Sequence, residues 1–370
     1  HTGPARVSKQ LLAELQALVP LAPMHQPHSL AAITSVAQAL PDLPQIACFD
    51  TAFHHTMPRL AQLFALPREM TDEGVLRYGF HGLSYDYISG CLPHHLGEKA
   101  KGRVVVAHLG SGASMCALKN RQSVATSMGF TALDGLMMGR RSGALDPGVV
   151  LYLMQEKGMS AADITSLLYE QSGLLGVSGI SSDMKVLETS TAPEAQEAID
   201  LFCARAAGEL ASLATSLGGL DAIVFTAGIG ESSARVRSGI CDRLGWMGVA
   251  LDTSANNRNA TRISAIGSRR FSRQHPDLRQ HRQPWPEIQV IQPDSELPNS
   301  RWSVTDHTLP DREGNRKWHK ADPSLSAIPI SSSSSAQQSV TTDREHLSPC
   351  CRCWRGLTWT RGTRPPHWRP

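Results

Sequence analysis

The sequence lacks the features that mark membrane, secreted and nucleic-acid-binding proteins. No apolar run approaches the ~20 residues that a membrane-spanning helix needs. The first residues, His1–Ser8, do not show the basic-then-apolar pattern of a secretory signal. The net charge is only +3, so bulk electrostatics give no reason to expect a nucleic-acid partner. We therefore expect neither a membrane nor nucleic acid among the partners of this chain.

Paired cysteines are also missing from most of the chain. Scattered single thiols suit a reducing cytoplasm better than a disulfide framework, so we expect a cytoplasmic protein. The cysteines within Cys350–Cys353 have no second pair that could complete a zinc site, and we interpret this cluster as chance. The single cysteines are Cys48, Cys91, Cys116, Cys203 and Cys241.

At 370 residues the chain is long enough for two domains, and an enzyme is the natural expectation.

From about Leu11 to Gly267 the sequence alternates between helical and strand patterns. Apolar residues recur at helical spacing in Lys9–Leu18 and Ala192–Leu217, which predicts two helices. Short β-branched runs predict buried strands, and the Gly-rich turns that follow them are typical of an α/β domain. The predicted strands are Gln45–Phe49, Arg103–His108 and Asp221–Thr226.

The composition changes after Gly267. Ser268–Pro370 holds six of the seven tryptophans, a serine run at Ser331–Ser335 and many isolated Arg, Pro and His residues. We find no sustained period of 2 or 3.6 in this segment, so we do not expect it to pack into a core. Tryptophan is unusual in natural disordered segments, and we interpret the tail as aberrant, translated in the wrong reading frame.

The most informative segment is Thr126–Asp146, which reads as a loop rich in Gly and Met with two adjacent arginines, Arg140 and Arg141. Glycine lets a backbone approach a ligand closely. A fixed arginine can bind phosphate oxygens with its planar set of donors. We therefore predict an anion-binding loop, with Met137 and Met138 serving packing.

Two further segments carry candidate catalytic side chains. Cys48–His54 reads as a strand that ends in Asp50, a carboxylate that could serve chemistry or could cap a helix. In Arg77–Gly82, two glycines frame Phe80 and His81 at a tight backbone position. A lone histidine is often structural, so both interpretations of His81 stay open on the residues alone.

Two glycine-rich turns directly follow predicted strands. In His108–Ser114, Gly110 and Gly112 could present backbone N–H groups and the Ser111 hydroxyl to phosphate. Phe225–Glu231 could place a nucleotide at a helix N-terminus, although an ordinary strand-to-helix turn has the same pattern. Neither segment is a Walker loop or a dinucleotide fingerprint, so each is a weak signal by itself.

Together, in this order and spacing, the five segments resemble the acetate kinase family of the acetate and sugar kinase/actin superfamily. The resemblance covers roughly residues 2–267 and includes Leu21–Pro27 and Gly179–Met184. It implies an α/β, actin-like and ribonuclease H-like two-domain kinase fold whose first domain is incomplete here. It also implies reversible phosphoryl transfer from ATP to acetate, which yields acetyl phosphate and ADP with Mg²⁺ or Mn²⁺, and a homodimer formed through the second domain.

The resemblance assigns roles position by position. Asp50 matches the catalytic aspartate, and His81 and Arg141 match the two transition-state stabilisers. Met24, Phe80 and Ala132 fall where the family lines its acyl pocket. The remaining matches concern the nucleotide. They are the phosphate hairpin His108, Leu109, Gly110, Ser111 and Gly112, the adenosine-side residues Asp183, Met184 and Lys185, and the second loop Ala227, Gly228, Ile229, Gly230 and Glu231.

The chain also departs from the family pattern. It opens at His1, past the family's Gly-Ser-Ser-Ser phosphate loop and an arginine that contacts the substrate carboxylate. Ile288–Leu297 is only faintly similar to the family's magnesium-binding segment; we interpret that match, which would make Glu296 the ligand, as chance. The metal ligand therefore stays unassigned. Ala132 replaces a common pocket proline, and Arg140 replaces a common threonine. We expect poor expression and little kinase activity from such a chain.

We therefore expect residues 1–55 to be a remnant of the first domain, residues 56–267 to be the nucleotide-binding domain, and residues 268–370 to be the aberrant tail, which we expect to be disordered. Three alternatives stay open. The chain could be a propionate or butyrate kinase of the same family, or a catalytically impaired fragment from a disrupted gene. It could also be an actin-like structural protein, although that class has no need of the acyl pocket or of Arg77–Gly82.

Overall fold

A mixed β-sheet organises the part of the chain that the computed structural model describes, which is residues 2–19, 26–265 and 288–292. The strands are β1 (Ala5–Arg6), β2 (Ile46–Ala47), β3 (Arg103–Leu109), β4 (Ala113–Lys119), β5 (Gln122–Thr126), β6 (Ala222–Thr226) and β7 (Gln289–Ile291). The last five form one sheet in the order β5-β4-β3-β6-β7, and β1 pairs with β2 in a separate ribbon. All described residues belong to one compact unit.

Helices connect and cover the strands. They are α1 (Lys9–Ala17), α2 (Gln26–Ala39), α3 (Arg59–Gln62), α4 (Arg68–Asp72), α5 (Gly82–Leu96), α6 (Pro147–Gln155), α7 (Ala161–Glu170), α8 (Gly173–Ser178), α9 (Met184–Thr189), α10 (Pro193–Leu217), α11 (Ala227–Ser232), α12 (Ala234–Asp242) and α13 (Thr253–Asn257). Short 3-10 turns occupy Ala52–Thr56, Gly97–Lys101 and Gly245–Met247. Among the described residues, no helix combines the length and apolar character that crossing a bilayer requires.

The central strand β3 is apolar on both faces because helices cover both faces of the sheet. Val104–Ala107 are completely buried. Val105 and Ala107 join a core cluster with α10, whose Ala- and Leu-rich face packs against the sheet. Val104 and Val106 instead join a cluster with α5. A strand with this environment reads as a continuous β-branched run, which is why the sequence predicted it.

The longest sequence patterns are confirmed. Helix α1 and helix α10 occupy the two segments with helical spacing, and β3 and β6 occupy two of the predicted strands. The third predicted strand, Gln45–Phe49, was wrong in extent, because only Ile46–Ala47 pairs, with the two-residue β1. This run does not enter the large sheet, so Asp50 lies beyond the strand end and is only partly buried.

The expectation that nothing beyond Gly267 packs into a core was wrong for residues 288–292. Strand β7 runs parallel to β6, with Ile223 opposite Val290. Ile288, Val290 and Ile291 are at most 4% exposed. A three-residue strand is too short to reveal a period, and the available signal was the faint family similarity of Ile288–Leu297, which we had interpreted as chance. The rest of the tail, including Cys350–Cys353, lies outside the described residues.

A buried arginine joins the turn after β6 to the short helix α13. Arg237 is completely buried, and the described residues accept hydrogen bonds from all five of its N–H groups. Nη1 donates to the carbonyls of Gly230 and Glu231, and the other donors bind Asn256 and Asn259 at 2.6–2.9 Å. None of these acceptors is charged, and burial lowers the pKa of Arg237. The guanidinium thus fixes the C-terminal end of α11.

We expect Arg237→Met to lower the free energy of unfolding by about 3 kcal/mol or more, since it leaves several buried acceptors without donors. Arg237→Lys should lower the free energy of unfolding by an amount between zero and that of Arg237→Met, because lysine keeps a charge but has fewer donors and no planar fork. Urea titration followed by circular dichroism measures the change. The control is Arg235→Met, an exposed arginine on the same helix, which should cost no more than about 1 kcal/mol. Equal losses in the two methionine variants would contradict this account.

Candidate active site

The parallel pairing of β3 with β6 brings two glycine-rich turns to the same edge of the sheet. His108 lies opposite Thr226 in the register, so the turns that follow both strands are neighbours. The β3–β4 turn is closed by a hydrogen bond of 3.0 Å from the Gly110 N–H to the Gly112 carbonyl. A Cβ on Gly110 would lie 3.6 Å from the Cβ of Ala227. In α/β sheets, this edge at the strands' carboxyl ends is where ligands bind.

The segment between β5 and α6, residues 127–146, approaches the same turn. The Gly139 N–H donates to the Ser111 carbonyl at 3.0 Å. A Cβ on Gly139 would lie 3.0 Å from the Ser182 carbonyl oxygen, a tight contact that favours glycine at this position. Met137 and Met138 are buried, which confirms their packing role. The loop, the hairpin and the Gly179–Met184 segment therefore meet.

Arg141 is the cation of this site. Its Nη1 donates to the Ala132 carbonyl at 2.7 Å, and its Nη2 lies 3.1 Å from the position that a Cβ on Gly112 would take. No carboxylate among the described residues forms an ion pair with it. Burial lowers the pKa of Arg141, but a guanidinium stays charged at neutral pH. A half-buried cation without a protein counter-ion favours an anionic ligand. Its neighbour Arg140 is exposed.

Asp50 fixes the backbone on which His81 sits. Its carboxylate accepts from the His81 N–H at 2.7 Å and from the Leu83 N–H at 3.4 Å, at the N-terminus of α5. The Asp50 carbonyl accepts from the Gly82 N–H at 2.8 Å. A Cβ on Gly82 would lie 2.1 Å from that carbonyl oxygen, so no other residue fits. The helix-capping interpretation of Asp50 thus describes its contacts, and its carboxylate holds His81 in a left-handed conformation with φ 57°.

The His81 imidazole points toward the cation of the site. Its Nε2 lies 3.3 Å from the position of a Cβ on Gly112, on the side where Arg141 also approaches. Its Nδ1 is 2.8 Å from the Ser114 hydroxyl oxygen. The ring stacks on that of His108 at 4.3 Å between centroids, and His108 Nδ1 is 2.9 Å from the Ser84 hydroxyl. Two of the predicted catalytic side chains, His81 and Arg141, therefore converge on one glycine.

The remaining predicted nucleotide-binding residues differ in their burial. The side chains of Leu109 and Met184 are buried in the core. Glu231 accepts from the Thr226 hydroxyl and the Ala227 N–H at 2.9 Å, which caps α11 internally. Exposed or partly buried side chains remain at Ser111, Asp183, Lys185 and Ile229, and the backbone of Gly228 is exposed. Gly230 is buried.

The predicted acyl-pocket residues lie on the core side of the site. Phe80 and Ala132 are partly buried and pack against the α10 cluster. His54, which is buried, has its Nε2 3.0 Å from the Phe80 carbonyl oxygen and its Nδ1 2.9 Å from the Ser123 hydroxyl. Met24 lies outside the described residues.

Sequence reasoning missed the side chains that orient the two histidines. Ser84 and Tyr85 follow His81 on the first turn of α5, and Ser114 lies opposite His108 in the β3–β4 register. The available signal was the spacing of four residues between His81 and Tyr85, which places both on one face of a helix.

The described residues contain no group of three or more His, Cys, Asp or Glu side chains placed to hold a metal ion. Magnesium bound with a nucleotide commonly takes only one or two carboxylates plus phosphate oxygens and water. The side chains of this part of the chain therefore identify no metal ligand.

Comparison with solved structures gives the class of protein. The chain is similar to a propionate kinase from Francisella tularensis subsp. tularensis SCHU S4, with TM-score 0.71 and 36% identity over 79% of this chain and 72% of that one. It is also similar to Porphyromonas gingivalis acetate kinase, with TM-score 0.68 and 35% identity over 79% and 70% of the two chains. The fold is thus that of an α/β, actin-like kinase.

The sequence comparisons then identify the family. A family model of the acetokinase family matches residues 1–274. The chain is 60% identical to an acetate kinase of Rhodopseudomonas palustris over 270 residues, which are 72% of this chain and 68% of that protein. It is 56% identical to an acetate kinase of Methylocella silvestris over 73% of this chain and 67% of that protein. The chain belongs to the acetokinase family and is a kinase by descent.

The histidines of this site make stability depend on pH. Burial, together with the charge of His81, lowers the pKa of His108 from its ordinary 6.5 to about 3, against an opposing effect of Asp50. Burial likewise lowers the pKa of His54. Because these folded-state pKa values lie below those of the unfolded chain, the unfolded state binds protons first as the pH falls. The stabilising contribution of His108 is complete above pH 6.5 and is lost toward pH 3.

We expect the free energy of unfolding to fall as the pH is lowered from about 7 to about 4, with His108 contributing up to about 1.4 kcal/mol per pH unit. Urea titrations across this range measure the slope. His108→Gln should reduce it, whereas His28→Gln, which replaces an exposed histidine on α2, should leave it unchanged. The same slope in wild type and His108→Gln would contradict the assignment.

Proposed function

We propose that this chain carries the site of an acetate kinase, which transfers the γ-phosphoryl group of ATP reversibly to acetate. The observation that carries the proposal is the convergence of Arg141 and His81 on Gly112, at distances of 3.1 and 3.3 Å from the position of its absent Cβ. A guanidinium and an imidazole at this position suit a phosphoryl group, whose charge is spread over several oxygens.

Phosphoryl transfer requires the protein to position the reactants rather than to form covalent bonds with them. An acetate oxygen attacks the γ-phosphorus, the bond from that phosphorus to the bridging oxygen breaks, and ADP leaves with that electron pair. Arg141 and His81 donate hydrogen bonds to the equatorial oxygens as charge spreads over them. Acetate is already ionised at neutral pH, so no general base is needed. Asp50 then serves as an organiser, which agrees with its hydrogen bonds to the backbone of His81 and Leu83.

We place the acetate methyl group against Phe80 and Ala132; Met24, which the resemblance also assigns to this pocket, lies outside the described residues. The partly buried position of Phe80 and Ala132 on the α10 cluster supports this placement. A hydrophobic pocket discriminates by only about 1–3 kcal/mol per methylene, so propionate would be a poorer alternative substrate rather than an excluded one. Acetate is favoured over propionate or butyrate because the more similar curated relatives are named acetate kinases.

We propose that the nucleotide lies along the carboxyl edge of the sheet. His108–Gly112 would hold the phosphates, Asp183–Lys185 the adenosine side and Ala227–Glu231 the other flank. The hydrogen bond from Gly139 to Ser111 and the closeness of Gly110 to Ala227 support this order. Mg²⁺ or Mn²⁺ would enter with the phosphates and neutralise their charge. A purely structural role is less well supported, because it does not require the convergence of Arg141 and His81. A catalytically impaired fragment is less well supported because the similar curated relatives are named acetate kinases.

Three finer features belong to the same proposal. A homodimer is supported by α6, on which Val149, Leu151, Tyr152 and Met154 are 39–53% exposed. A monomer observed by light scattering would count against the homodimer.

A cytoplasmic location is supported by the free thiols of all five described cysteines. A first-domain portion within residues 1–55 is supported by its own small cluster around Leu11, Leu15 and Leu30, and the nucleotide domain would be residues 56–267 with β7 added.

The proposal is tested by trapping acetyl phosphate as its hydroxamate. Although the departures from the family pattern led us to expect little activity, the convergence of Arg141 and His81 leads us to expect a signal that requires ATP, Mg²⁺ and acetate together. The signal should fall by about two orders of magnitude in Arg141→Ala, because a cation facing the transferred group is lost. Arg140→Ala is the matched control, since its exposed side chain lies next in sequence. A hydroxamate signal that Arg141→Ala leaves unchanged, or one that does not need acetate, would refute the proposal.

A further inference from the structure

We propose that Tyr85 and Ser114 are positioning residues that hold His81 in the tautomer whose proton is on Nε2. This inference rests on the proposed function for its catalytic meaning, although the tautomer itself can be observed without turnover. The juxtaposition that carries it is a chain of three side chains from the core to the site. The Tyr85 hydroxyl contacts the Ser114 hydroxyl, which in turn lies 2.8 Å from Nδ1 of His81.

Tyr85 sets the direction in which hydrogen bonds are donated along these three side chains. The residue is completely buried between α5 and the sheet, and its hydroxyl has Ser114 as its hydrogen-bond partner among the described residues. Burial raises the pKa of Tyr85 well above its ordinary value, so the phenol keeps its proton. A buried O–H that is not donated is costly. Tyr85 must therefore donate, and the Ser114 oxygen accepts.

Ser114 then has its own single proton to donate. Its Oγ is completely buried with the rest of the residue, and its other partner within hydrogen-bond distance in the described part of the chain is Nδ1 of His81. If Ser114 donates to Nδ1, that nitrogen must be the unprotonated acceptor. The neutral imidazole then carries its proton on Nε2.

This tautomer directs a donor at the place where the phosphoryl group is proposed to pass. Nε2 is the nitrogen near Gly112, beside Nη2 of Arg141. The opposite tautomer would present a lone pair to phosphate oxygens and would repel them. Protonation of both nitrogens would leave the Ser114 proton without its acceptor in a buried position. The Tyr85–Ser114 pair thus favours the neutral, Nε2-protonated imidazole over both other forms.

The same arrangement distinguishes positioning from ordinary packing. The Tyr85 ring belongs to the cluster of Ile88, Leu92 and Val104, so its bulk alone would account for its burial. Packing does not need the hydroxyl, however. Tyr85→Phe keeps the ring and removes only the donor, and Ser114→Ala removes the relay, whereas Ser114→Thr keeps a hydroxyl.

The experiment observes the tautomer directly by long-range ¹H–¹⁵N correlation spectra of the full chain labelled with ¹⁵N-histidine. The His81 signals are assigned by their loss in His81→Asn. We expect a pyrrole-type Nε2 and a pyridine-type Nδ1 in wild type and Ser114→Thr at neutral pH, and a tautomer mixture in Ser114→Ala and Tyr85→Phe. Matched controls are Tyr87→Phe and Ser89→Ala on the same helix, which should retain the wild-type pattern.

A kinetic arm links the tautomer to the reaction. We expect kcat to fall by about tenfold or more in Tyr85→Phe and Ser114→Ala, with KM for ATP and acetate changed by less than about twofold, and recovery in Ser114→Thr. A proton on Nδ1 of His81 in wild type, or an unaltered tautomer in both Tyr85→Phe and Ser114→Ala, would overturn the inference. If wild type shows the expected tautomer but no acetate-dependent turnover, the tautomer assignment holds and the proposed function fails. If Tyr85→Phe does not fold, the wild-type spectrum and the comparison of Ser114→Ala with Ser114→Thr still test the tautomer assignment.

Discussion

Residues Val104–His108 of β3 lie in parallel register with Ala222–Thr226 of β6, and the candidate site depends on this pairing. Parallel strands end at the same edge of a sheet, so the turn at Gly110–Gly112 and the turn at Ala227 become neighbours although about a hundred residues separate them in sequence. The strands can pair in this way because α5 and α10 bury both faces of the sheet. The burial of β3 and the position of the anion-facing groups are thus two results of one topology.

Close backbone approach then converts that edge into a site. Gly82 lies against the Asp50 carbonyl at a distance that no side chain would permit, and Gly139 lies so close to Ser111 and Ser182 that a Cβ there would crowd their carbonyl oxygens. The first contact fixes His81 in a left-handed conformation, and the second brings the Arg141 loop over the hairpin. Arg237, buried and fully hydrogen-bonded, holds the end of the turn after β6. The charged groups are therefore carried by a backbone that packing determines.

Much of this was predictable from residues alone, and the limit has a physical cause. Helix α10 and strand β3 carry long patterns, and their packing faces follow from periodicity. His81 and Arg141 were identified because their glycine-rich segments resemble a family. The Tyr85–Ser114 contact joins residues 29 apart in sequence and depends on how α5 lies on the β3–β4 hairpin, which no local pattern reports. Strand β7 was missed because three residues cannot show a period, and the strand at Gln45–Phe49 was overestimated because its apolar run has only β1 to pair with.

The central claim is that Arg141 and His81 act together on one anion beside Gly112. A crystal structure of the chain with ADP, Mg²⁺, aluminium fluoride and acetate tests it most directly, because the fluoride complex mimics the transferred phosphoryl group. The account predicts that fluoride atoms accept hydrogen bonds from a guanidinium nitrogen of Arg141 and from Nε2 of His81. A complex that binds elsewhere, or an Arg141 paired with a carboxylate while the complex is bound, would contradict it.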